Sequence, residues 1–493
     1  MRYRLETIVF LSGFNLMALE LVGSRIIAPF LGTSIFVWTS LIGVILGSLS
    51  LGYWWGGIIA DKNPTYKKLS SVLYSAGILI GITAVANTTI LYPIAISGLG
   101  PRWGSVLAAI LLFAPAAVLF GMVSPLAAKM KLDNLNTLGK NVGGLYAIST
   151  MGSILGTFAG GFYLISFFGS GLTLAFISFL TILAAFISYP NLKNILRKSV
   201  PAIFIFFCIF AVEKTKSLIP DFKDIDTEYK RIWIVDEKDF LTGRQARYLV
   251  DAPNSAQSEM FLDSDTELVA AYTKYYDLYK FFSGKSDHVL MLGGGAFSYP
   301  KHFIATNKTG QMDIVEIDPA MTRLAEKYFN LKPDPRMLIV NEDARVYLNT
   351  TEKKYDAMFV DVFTATLSIP YHVITKEAVE KEYKRLNDDG VALVNIIAAI
   401  EGNKGKYFRA ALATYKSVFP QVYVFPVHAP ADGNIIQNIM LIALKSNTPH
   451  ALTSNNPEIQ SYLSHLWTKN IPQDAGIFTD NFAPVERYAE EML

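Results

Sequence analysis

The chain has 493 residues, too many for one ordinary domain, so two or three folded units are expected. Hydrophobic residues make up 51% and charged residues only 17%, a balance that favours a membrane protein over a purely globular one. A net charge of +2 without a Lys/Arg block argues against nucleic-acid binding. The single cysteine, Cys208, excludes a disulfide framework, and the six scattered histidines lack metal-ligand spacing, so no metal is expected.

The first domain, residues 1–213, is predicted to lie in a membrane. A helix needs about 20 apolar residues to cross the hydrocarbon core. Six segments meet this requirement: 7–29, 34–60, 69–97, 103–128, 141–166 and 169–189. A seventh apolar segment, Val200–Val212, is short, which leaves a short span, a re-entrant piece or an interfacial helix open.

The positive charges of the short loops predict how these segments are oriented. They precede the first segment or follow the second, fourth and sixth: Arg2, Arg4, Lys62, Lys67, Lys68, Lys129, Lys131, Lys140, Lys193, Arg197 and Lys198. This pattern predicts a multi-pass protein of the inner cell membrane with its N-terminus inside. A full crossing by Val200–Val212 would place the remaining chain outside, but Lys214 and Lys216 argue against it. The soluble part is therefore predicted to be cytoplasmic.

Two features inside the apolar segments stand out. Glycines four residues apart predict close helix packing, and they occur as Gly43 and Gly47, Gly52 and Gly56, and Gly152, Gly156 and Gly160. Glu20 and Arg25 lie within the first segment, where an ionisable group is costly unless it is paired or hydrated. They are interpreted either as a structural ion pair or as a polar substrate site.

The soluble half begins with a predicted small β-rich cap and helix over residues 222–283. Tyr229–Asp251 has a strand-like pattern, and Glu267–Phe282 has the helical spacing of apolar and aromatic residues. Residues 284–445 are predicted to form a nucleoside-binding Rossmann-like domain, and residues 446–493 form a C-terminal tail.

The domain over residues 284–445 alternates apolar strands with helices. The predicted strands are His288–Leu292, Met312–Ile317, Met337–Asn341 and Tyr355–Val360, and helical patterns cover Ala320–Tyr328 and Ala344–Leu348. Such alternation predicts right-handed crossovers and a mainly parallel, doubly wound α/β sheet.

Polar residues follow each of these strands, at the edge where such sheets bind ligands. They are Gly293, Gly294, Gly295, Glu316, Asp343 and Asp361. The glycines let a ligand approach the backbone. Glu316, or alternatively Asp318, can accept hydrogen bonds from a ribose diol, and Asp343 from an adenine amino group. Ser298 replaces the third glycine of the dinucleotide fingerprint, which favours a single nucleoside over NAD.

The stretches HVLMLGGGAFSYP, IVEIDP, EDARVYL and YDAMFVDVF resemble the spermidine synthase family, a branch of the class I methyltransferase fold. The likeness covers Tyr229–Ile397, with a looser match at Asp251–Gln257. Phe10–Arg25 and the stretches GGIIADK and TDNFAPVERY resemble bacterial proteins described as fused transporter and spermidine synthase. The resemblance implies decarboxylated S-adenosylmethionine as co-substrate, aminopropyl transfer to a diamine such as putrescine, and methylthioadenosine as second product.

Two departures from the family pattern fall on the amine side. The family has one acid after the glycine triplet and another three residues after the acid that ends the fourth strand. This chain has Ala296 and Thr364 there. Asp361 remains the candidate catalytic acid, as a general base for the amine. Weaker candidates for closing the substrate side are Gln257, Tyr272, Tyr275 and His372.

Two alternative functions remain open. A methyltransferase using S-adenosylmethionine itself would benefit from Ala296, since the missing acid leaves room for that cofactor's carboxylate. A transporter or sensor could instead bind a nucleoside or polyamine without turnover, as the missing acids suggest. The expected partners are the lipid bilayer and a small-molecule amine, and a homo-oligomer is left open.

Overall fold

The computed structural model describes residues 3–131, 138–253, 255–362 and 370–492, apart from the side chain of Ser217. The chain divides into two compact units, Met1–Ile232 and Trp233–Leu493. Each unit is described by itself below.

The first unit is built mainly from long apolar helices. Their bounds are α1 (Arg4–Leu31), α2 (Ile35–Lys62), α3 (Tyr66–Ile96), α4 (Gly100–Leu112), α5 (Ala114–Met130), α6 (Leu138–Ala159), α7 (Ile165–Ser188) and α8 (Leu192–Leu218). A π-helical turn, Gly160–Leu164, joins α6 to α7, and strand β1 (Phe222–Asp226) follows α8. Within the described chain, five helical stretches are long and apolar enough to cross a membrane, and the bent pair α4–α5 makes a sixth.

One of these stretches, Leu138–Ser188, reverses direction at Gly169, whose φ of +73° is not helical. Before the reversal α6 runs parallel to α1, because Gly152 lies against Phe10 and Gly156 against Phe14. After it α7 runs antiparallel to α1: Arg4 donates to the carbonyl of Ile187 at 2.8 Å, and Asn15 to Thr181 at 3.0 Å. The stretch therefore makes two passes, and the described helices pass through this unit seven times.

The glycine spacing is explained by close helix approach at two of the three predicted places. A Cβ on Gly52 would lie 2.2 Å from the Val118 carbonyl oxygen, and one on Gly152 would lie 2.1 Å from that of Phe10. Only glycine allows such contacts between helix backbones. The prediction is wrong for Gly43 and Gly47, because a Cβ there would meet no described atom within 4 Å.

The seventh apolar segment is the centre of a helix that is longer than the apolar segment itself. Val200–Val212 lies inside α8, a helix of 27 residues, and 25 of these, Leu192–Lys216, meet the criteria for a membrane span. The flanking polar residues continue the helix at both ends. A helix of this length rises about 40 Å, so the interpretation as a short segment is wrong.

The two ends of the helical unit differ in charge and contacts. At the lysine-rich end, Lys129 pairs with Asp61 at 2.9 Å and Lys131 with Glu6 at 2.6 Å. At the opposite end, which we name the exit end, Ser170 donates its backbone N–H to Asp226 at 2.8 Å. Arg25, near the end of α1, donates there to the Glu228 carbonyl. The chain therefore leaves this unit opposite its lysine-rich end.

Three antiparallel strands begin at the boundary between the units: β2 (Arg231–Lys238), β3 (Gln245–Ala252) and β4 (Ser255–Phe261), and all but the first two residues of β2 belong to the second unit. Three short turns follow where one helix was predicted over Glu267–Phe282. They are α9 (Ala271–Lys274), a 3₁₀ turn (Tyr275–Leu278) and α10 (Tyr279–Phe282).

A seven-stranded sheet forms the centre of this unit, in the order β10-β11-β9-β8-β5-β6-β7. Its strands are β5 (His288–Leu292), β6 (Gln311–Val315), β7 (Met337–Val340), β8 (Tyr355–Val360), β9 (Leu386–Ala398), β10 (Gln421–Pro426) and β11 (Gln437–Leu444). Strands β5 to β9 are parallel to one another, and β10 and β11 are antiparallel additions at one edge. The prediction of a mainly parallel sheet is confirmed.

Helices cover the sheet on both faces, and each face buries its own apolar cluster. They are α11 (Ser298–Thr306), α12 (Pro319–Tyr328), α13 (Ala344–Thr350), α14 (Lys376–Arg385), α15 (Lys406–Lys416), α16 (Pro457–Leu463) and α17 (Val485–Glu490). The chain builds outward from β5 to β7 and then returns to β8 beside β5. This switch point places the carboxyl ends of β5 and β8 next to each other, where such sheets bind ligands.

Candidate functional site

The glycine loop after β5 lies directly against the end of β8. Gly293 has φ of +91°, and a Cβ there would be 2.1 Å from the carbonyl oxygen of Asp361. Gly295 has φ of +53°, and its Cβ would be 2.5 Å from the hydroxyl of Ser258 on β4. Both positions need glycine for conformation as well as for space. The loop therefore packs closely against the end of β8 and against β4 at the switch point, and ligand approach to Gly293, Gly294 and Gly295 stays a prediction.

Glu316, at the end of β6, holds the glycine loop in place. Its Oε2 accepts the N–H groups of Gly294 at 2.9 Å and Gly295 at 3.0 Å, and its Oε1 accepts that of Asp318 at 3.0 Å. A carboxylate has about four acceptor directions, so roughly one remains on Glu316. Asp318 caps α12 through Oδ1, while its buried Oδ2 has no hydrogen-bond partner among the described residues. Ribose recognition by Glu316, or alternatively by Asp318, stays a prediction.

Asp343, predicted to bind an adenine amino group, is the N-cap of α13. Its Oδ1 accepts the N–H groups of Arg345 at 2.9 Å and Val346 at 3.1 Å. Its Oδ2 lies 3.1 Å from Nε2 of His372. The structure therefore brings together two predicted site residues, Asp343 and His372, and leaves Oδ2 facing outward from the helix cap.

Asp361 lies directly after β8, half-buried and surrounded by hydrogen-bond donors. The hydroxyl of Tyr272 donates to Oδ2 at 3.0 Å, and the amide of Asn395 donates to Oδ1 at 3.0 Å. Burial raises the pKa of Asp361, while Asn395, Tyr272 and Tyr276 oppose that increase. Burial and the neighbouring Asp361 raise the pKa of Tyr272 far above its usual value, so Tyr272 remains a donor. A carboxyl group with a raised pKa suits proton transfer near neutral pH.

Asn395 was missed by sequence reasoning, although it leaves a signal. It is a lone polar residue in the apolar run of β9, and it is 2% exposed. Its own amide oxygen accepts a hydrogen bond from Asn438 on β11 at 2.9 Å. A buried amide must have partners, so its presence in an apolar strand indicates a specific contact.

Strand β4 is attached to the glycine loop by two hydrogen bonds. The Ser258 hydroxyl accepts the N–H of Ala296 at 2.9 Å, and the Glu259 carbonyl accepts the hydroxyl of Ser298 at 2.8 Å. Gln257, a predicted substrate-side residue, directly precedes this pair, and its carbonyl lies 4.0 Å from a Cβ built on Gly295. The position of the missing acid, Ala296, is therefore enclosed by β4.

Glu259 is a second carboxyl group that the sequence reasoning missed. Burial, with a contribution from Asp239, raises its pKa to about 7. Its charge also raises the pKa of Tyr272, which places the two groups within electrostatic range of each other. Its carboxylate has no hydrogen bond or ion pair with the described residues. The signal for it was an acidic residue two positions after Gln257 in a strand.

Two residues singled out from the sequence lie away from Asp361 or outside the described residues. The Tyr275 hydroxyl lies 2.6 Å from Nδ1 of His465 and its ring packs on Tyr462, so Tyr275 does not face Asp361. Thr364 lies outside the described residues. In the parts of the chain that the structure covers, no cluster of three or more His, Cys, Asp or Glu could hold a metal ion.

The polar pair of the first helix is not an ion pair. Arg25 donates to the Glu228 carbonyl at the exit end, whereas Glu20 makes no hydrogen bond or ion pair with any described residue. Glu20 is half-buried by the surrounding protein. The alternative interpretation of Glu20 as part of a polar site stays a prediction.

Comparison with known proteins shows what the chain is similar to. Residues 277–452 match the family described as spermine/spermidine synthase domain. A polyamine aminopropyltransferase from Vibrio vulnificus is 28% identical over 215 residues, or 41% of this chain and 70% of that protein. Polyamine aminopropyltransferase 2 from Aquifex aeolicus is 22% identical over 456 residues, covering 87% of this chain and 86% of that protein. A probable spermidine synthase structure from Corynebacterium glutamicum has a TM-score of 0.44 and 21% identity, covering 53% of this chain and 97% of that one.

Proposed function

We propose, from the premise that residues 277–452 are a spermine/spermidine synthase domain, that the chain is a membrane-anchored aminopropyltransferase. It would transfer the aminopropyl group of decarboxylated S-adenosylmethionine to a small amine such as putrescine. The observation that carries the proposal is the half-buried Asp361, hydrogen-bonded to Tyr272 beside the glycine loop at the switch point. Aminopropyl transfer needs a base at that place, next to a bound nucleoside.

The nucleoside end of the site fits this substrate. Gly293 and Gly295 provide a backbone surface on which a Cβ has no room. The remaining acceptor direction of Glu316 can accept a hydrogen bond from a ribose hydroxyl. Oδ2 of Asp343 can accept a hydrogen bond from an exocyclic amino group.

The chemical step would use Asp361 as general base. The acceptor nitrogen loses a proton to the Asp361 carboxylate, and its lone pair forms a bond to the propyl carbon next to the sulfonium. The carbon–sulfur bond breaks, its electron pair returns to sulfur, and methylthioadenosine leaves. Tyr272 and Asn395 hold the carboxylate in place, so the protein contributes mainly positioning and proton transfer.

Glu259 supports an amine as the acceptor. The family acids expected at Ala296 and Thr364 are missing. Glu259 offers a half-buried carboxyl group within electrostatic range of Tyr272, on the strand that encloses Ala296. We propose that it binds an ammonium group of the acceptor. A nearby cation stabilises the ionised form of a carboxylate that has no hydrogen bond or ion pair with the described residues.

The membrane anchor is proposed from the helical unit. Five apolar stretches and one bent pair have the length and composition of membrane spans, and the chain leaves at the end opposite its lysine-rich loops. The positive-inside rule assigns lysine-rich loops to the cytoplasm. We therefore propose that the segment after Ile232 begins outside the cytoplasm, unlike the cytoplasmic placement that the sequence predicts. This placement would require a nucleoside supply on that side of the membrane.

Reporter fusions test this orientation. A pair of truncations, each fused to green fluorescent protein or alkaline phosphatase, would end at Lys198 and at Ile232. We expect fluorescence at Lys198 and phosphatase activity at Ile232. Fluorescence at both sites would restore the cytoplasmic placement.

Calorimetry and turnover test the proposed reaction. The full chain, purified in detergent, is titrated with methylthioadenosine, decarboxylated S-adenosylmethionine and S-adenosylmethionine, and then assayed with putrescine. Tighter binding of the decarboxylated form and methylthioadenosine release are expected. Preference for intact S-adenosylmethionine would indicate a methyltransferase, binding without turnover would indicate a sensor or transporter, and no binding would remove the nucleoside site.

A matched pair of variants separates the base from the scaffold. Asp361→Asn should retain methylthioadenosine binding and lose turnover by roughly a hundredfold or more. Asp356→Asn, at the opposite end of the same strand, should retain turnover, because among the described residues Asp356 accepts hydrogen bonds from the N–H groups of Asp287 and His288 and the amide of Asn387, away from Asp361. Equal turnover in wild type and Asp361→Asn would contradict the assignment.

A further inference from the structure

The C-terminal segment Thr479–Tyr488, which contains the TDNFAPVERY stretch, is attached to the adenine end of the site through Asp480. Oδ2 of Asp480 accepts a hydrogen bond from Arg345 at 2.7 Å, and Oδ1 accepts one from the Thr375 hydroxyl at 2.6 Å. Its backbone N–H donates to Glu377 at 2.9 Å. Asp480 therefore makes three bonds to residues at the starts of α13 and α14.

Arg345 also contacts His372 and so connects Asp480 to it. The same guanidinium donates to the carbonyl of His372 at 3.0 Å and to the Thr375 hydroxyl at 3.1 Å. Its side chain is only 16% exposed, so this geometry is enclosed. Asp480 is an anionic partner for Arg345, which lets that guanidinium stay partly buried.

His372 in turn faces the predicted adenine ligand. Nε2 of His372 lies 3.1 Å from Oδ2 of Asp343, while Oδ1 of Asp343 is occupied by the N–H groups at the start of α13. The position of Oδ2 is thus set from both sides, by the helix cap and by the imidazole. Only this oxygen is left to read the edge of a base.

We propose that Asp480 is a positioning residue for base recognition, which it controls through Arg345 and His372. The ligand class is a purine nucleoside with an exocyclic amino group, as in adenosine derivatives. This inference rests on the proposed nucleoside site. It adds Asp480 to that site, 137 positions after Asp343 in the sequence. Without Asp480, Arg345 loses its anionic partner and the His372 carbonyl loses a fixed donor.

The chain offers a matched control in a second Arg–Asp contact of the same tail. Asp474 pairs with Arg409, whose side chain is 3% exposed, at 2.8 Å between Oδ2 and Nη2. Arg409 also donates to the carbonyls of Ile400 and Gly402, remote in sequence from the nucleoside residues. Asp474→Asn should therefore reproduce the loss of a tail ion pair without touching base recognition.

The test compares binding of methylthioadenosine and methylthioinosine, which differ in the exocyclic amino group. Calorimetric titration of the full chain should show at least a tenfold preference for methylthioadenosine in wild type and in Asp474→Asn. Asp480→Asn should reduce that preference to less than threefold. A general loss of structure would not change this ratio selectively.

Each outcome decides between the two proposals. Wild type that binds neither nucleoside overturns the proposed function together with this inference. Wild type with the expected preference, unchanged in Asp480→Asn, overturns this inference alone. If Asp480→Asn does not fold, Thr375→Val removes one of the two Asp480 side-chain contacts and should lower the same ratio, and an unchanged ratio there counts against the inference.

Discussion

The hydroxyl of Tyr272 donates a hydrogen bond to Oδ2 of Asp361 at 3.0 Å, across 89 positions of sequence. The contact joins the short helix α9 to the carboxyl end of β8. The Tyr272 hydroxyl thereby supplies a hydrogen-bond donor to Asp361, whose partial burial limits hydrogen bonding to water. Because a buried carboxylate needs such donors to remain ionised, Tyr272 should control when Asp361 can act as a base.

Tyr272→Phe should lower kcat for aminopropyl transfer by roughly 10- to 100-fold. Asp361 accepts a proton only when ionised, so activity is lost as pH falls through its pKa. Tyr272 lowers that pKa, and its removal should therefore shift the acid limb of the kcat profile to higher pH. The pH dependence of kcat for both proteins measures the shift.

Tyr275→Phe is the matched control for this change. Its hydroxyl contacts His465 and lies away from Asp361, so its acid limb should coincide with that of wild type. Identical profiles for Tyr272→Phe and Tyr275→Phe would show that the hydrogen bond to Asp361 has no part in catalysis.

Glu259→Gln should weaken putrescine binding by roughly tenfold, since a hydrogen bond to a charged group contributes about 1.5–3 kcal/mol. With a pKa of about 7, Glu259 becomes ionised as pH rises from 6 to 8, so wild type should bind putrescine more tightly across that range. The variant should lack this dependence. Calorimetry with methylthioadenosine already bound measures both effects.

The exposed Glu237, near the end of β2, provides the comparison for Glu259. Glu237→Gln should bind putrescine as wild type does at every pH. Methylthioadenosine affinity should stay constant in both variants. A wild-type putrescine affinity in Glu259→Gln would assign Glu259 to structure alone.

Gly293→Ala should abolish nucleoside binding. A Cβ at this position would lie 2.1 Å from the Asp361 carbonyl oxygen, so the loop and the end of β8 would have to separate. Gly284 also has a positive φ, +67°, but a Cβ there meets nothing within 4 Å. Gly284→Ala should therefore cost only the left-handed strain of about 1–2 kcal/mol and retain binding.

Titration of methylthioadenosine into the two alanine variants distinguishes space from conformation. Loss of binding in Gly293→Ala alone identifies the contact with Asp361 as the cause. Wild-type affinity in Gly293→Ala would mean that the loop relaxes without consequence for the site.

Glu382 should make the protein less stable as pH rises from about 5 to 8. Burial raises its pKa from 4.5 to about 8, while the Tyr415 hydroxyl, 2.8 Å from Oε2, partly opposes this. In that window the folded protein keeps a proton that the unfolded chain releases, so stability falls with pH and levels off above 8. Removing the group should flatten the dependence by up to about 1.4 kcal/mol per pH unit.

Thermal unfolding of the full chain from pH 5 to 9 measures this effect in Glu382→Gln, which keeps an acceptor for Tyr415. Glu380→Gln on the same helix is the control, because the Glu380 side chain is 45% exposed and lies 4.0 Å from Lys376. We expect a flatter Tm profile only in Glu382→Gln. Parallel profiles for all three proteins would exclude Glu382 as the source.

Several elements were predictable because their patterns are local. The predicted bounds of His288–Leu292 and Tyr355–Val360 agree with β5 and β8. Both are apolar runs, as strands buried on both faces of a sheet must be. The glycine loop was predictable for the same reason, since three consecutive glycines directly after a buried strand indicate a tight turn of the backbone. The extent of α8 was missed because hydropathy describes only its apolar centre.

The amino-acid sequence by itself determined the apolar helices, the alternating strands and the order of polar residues at the strand ends. These follow from burial periodicity and backbone conformation, which act over a few residues. Only the tertiary structure decided that Asn395 and Tyr272 meet at Asp361, that Tyr275 faces His465, and that the chain reverses at Gly169. These contacts join residues that are distant in sequence, and their partners are selected by packing of the whole sheet, which no local pattern encodes.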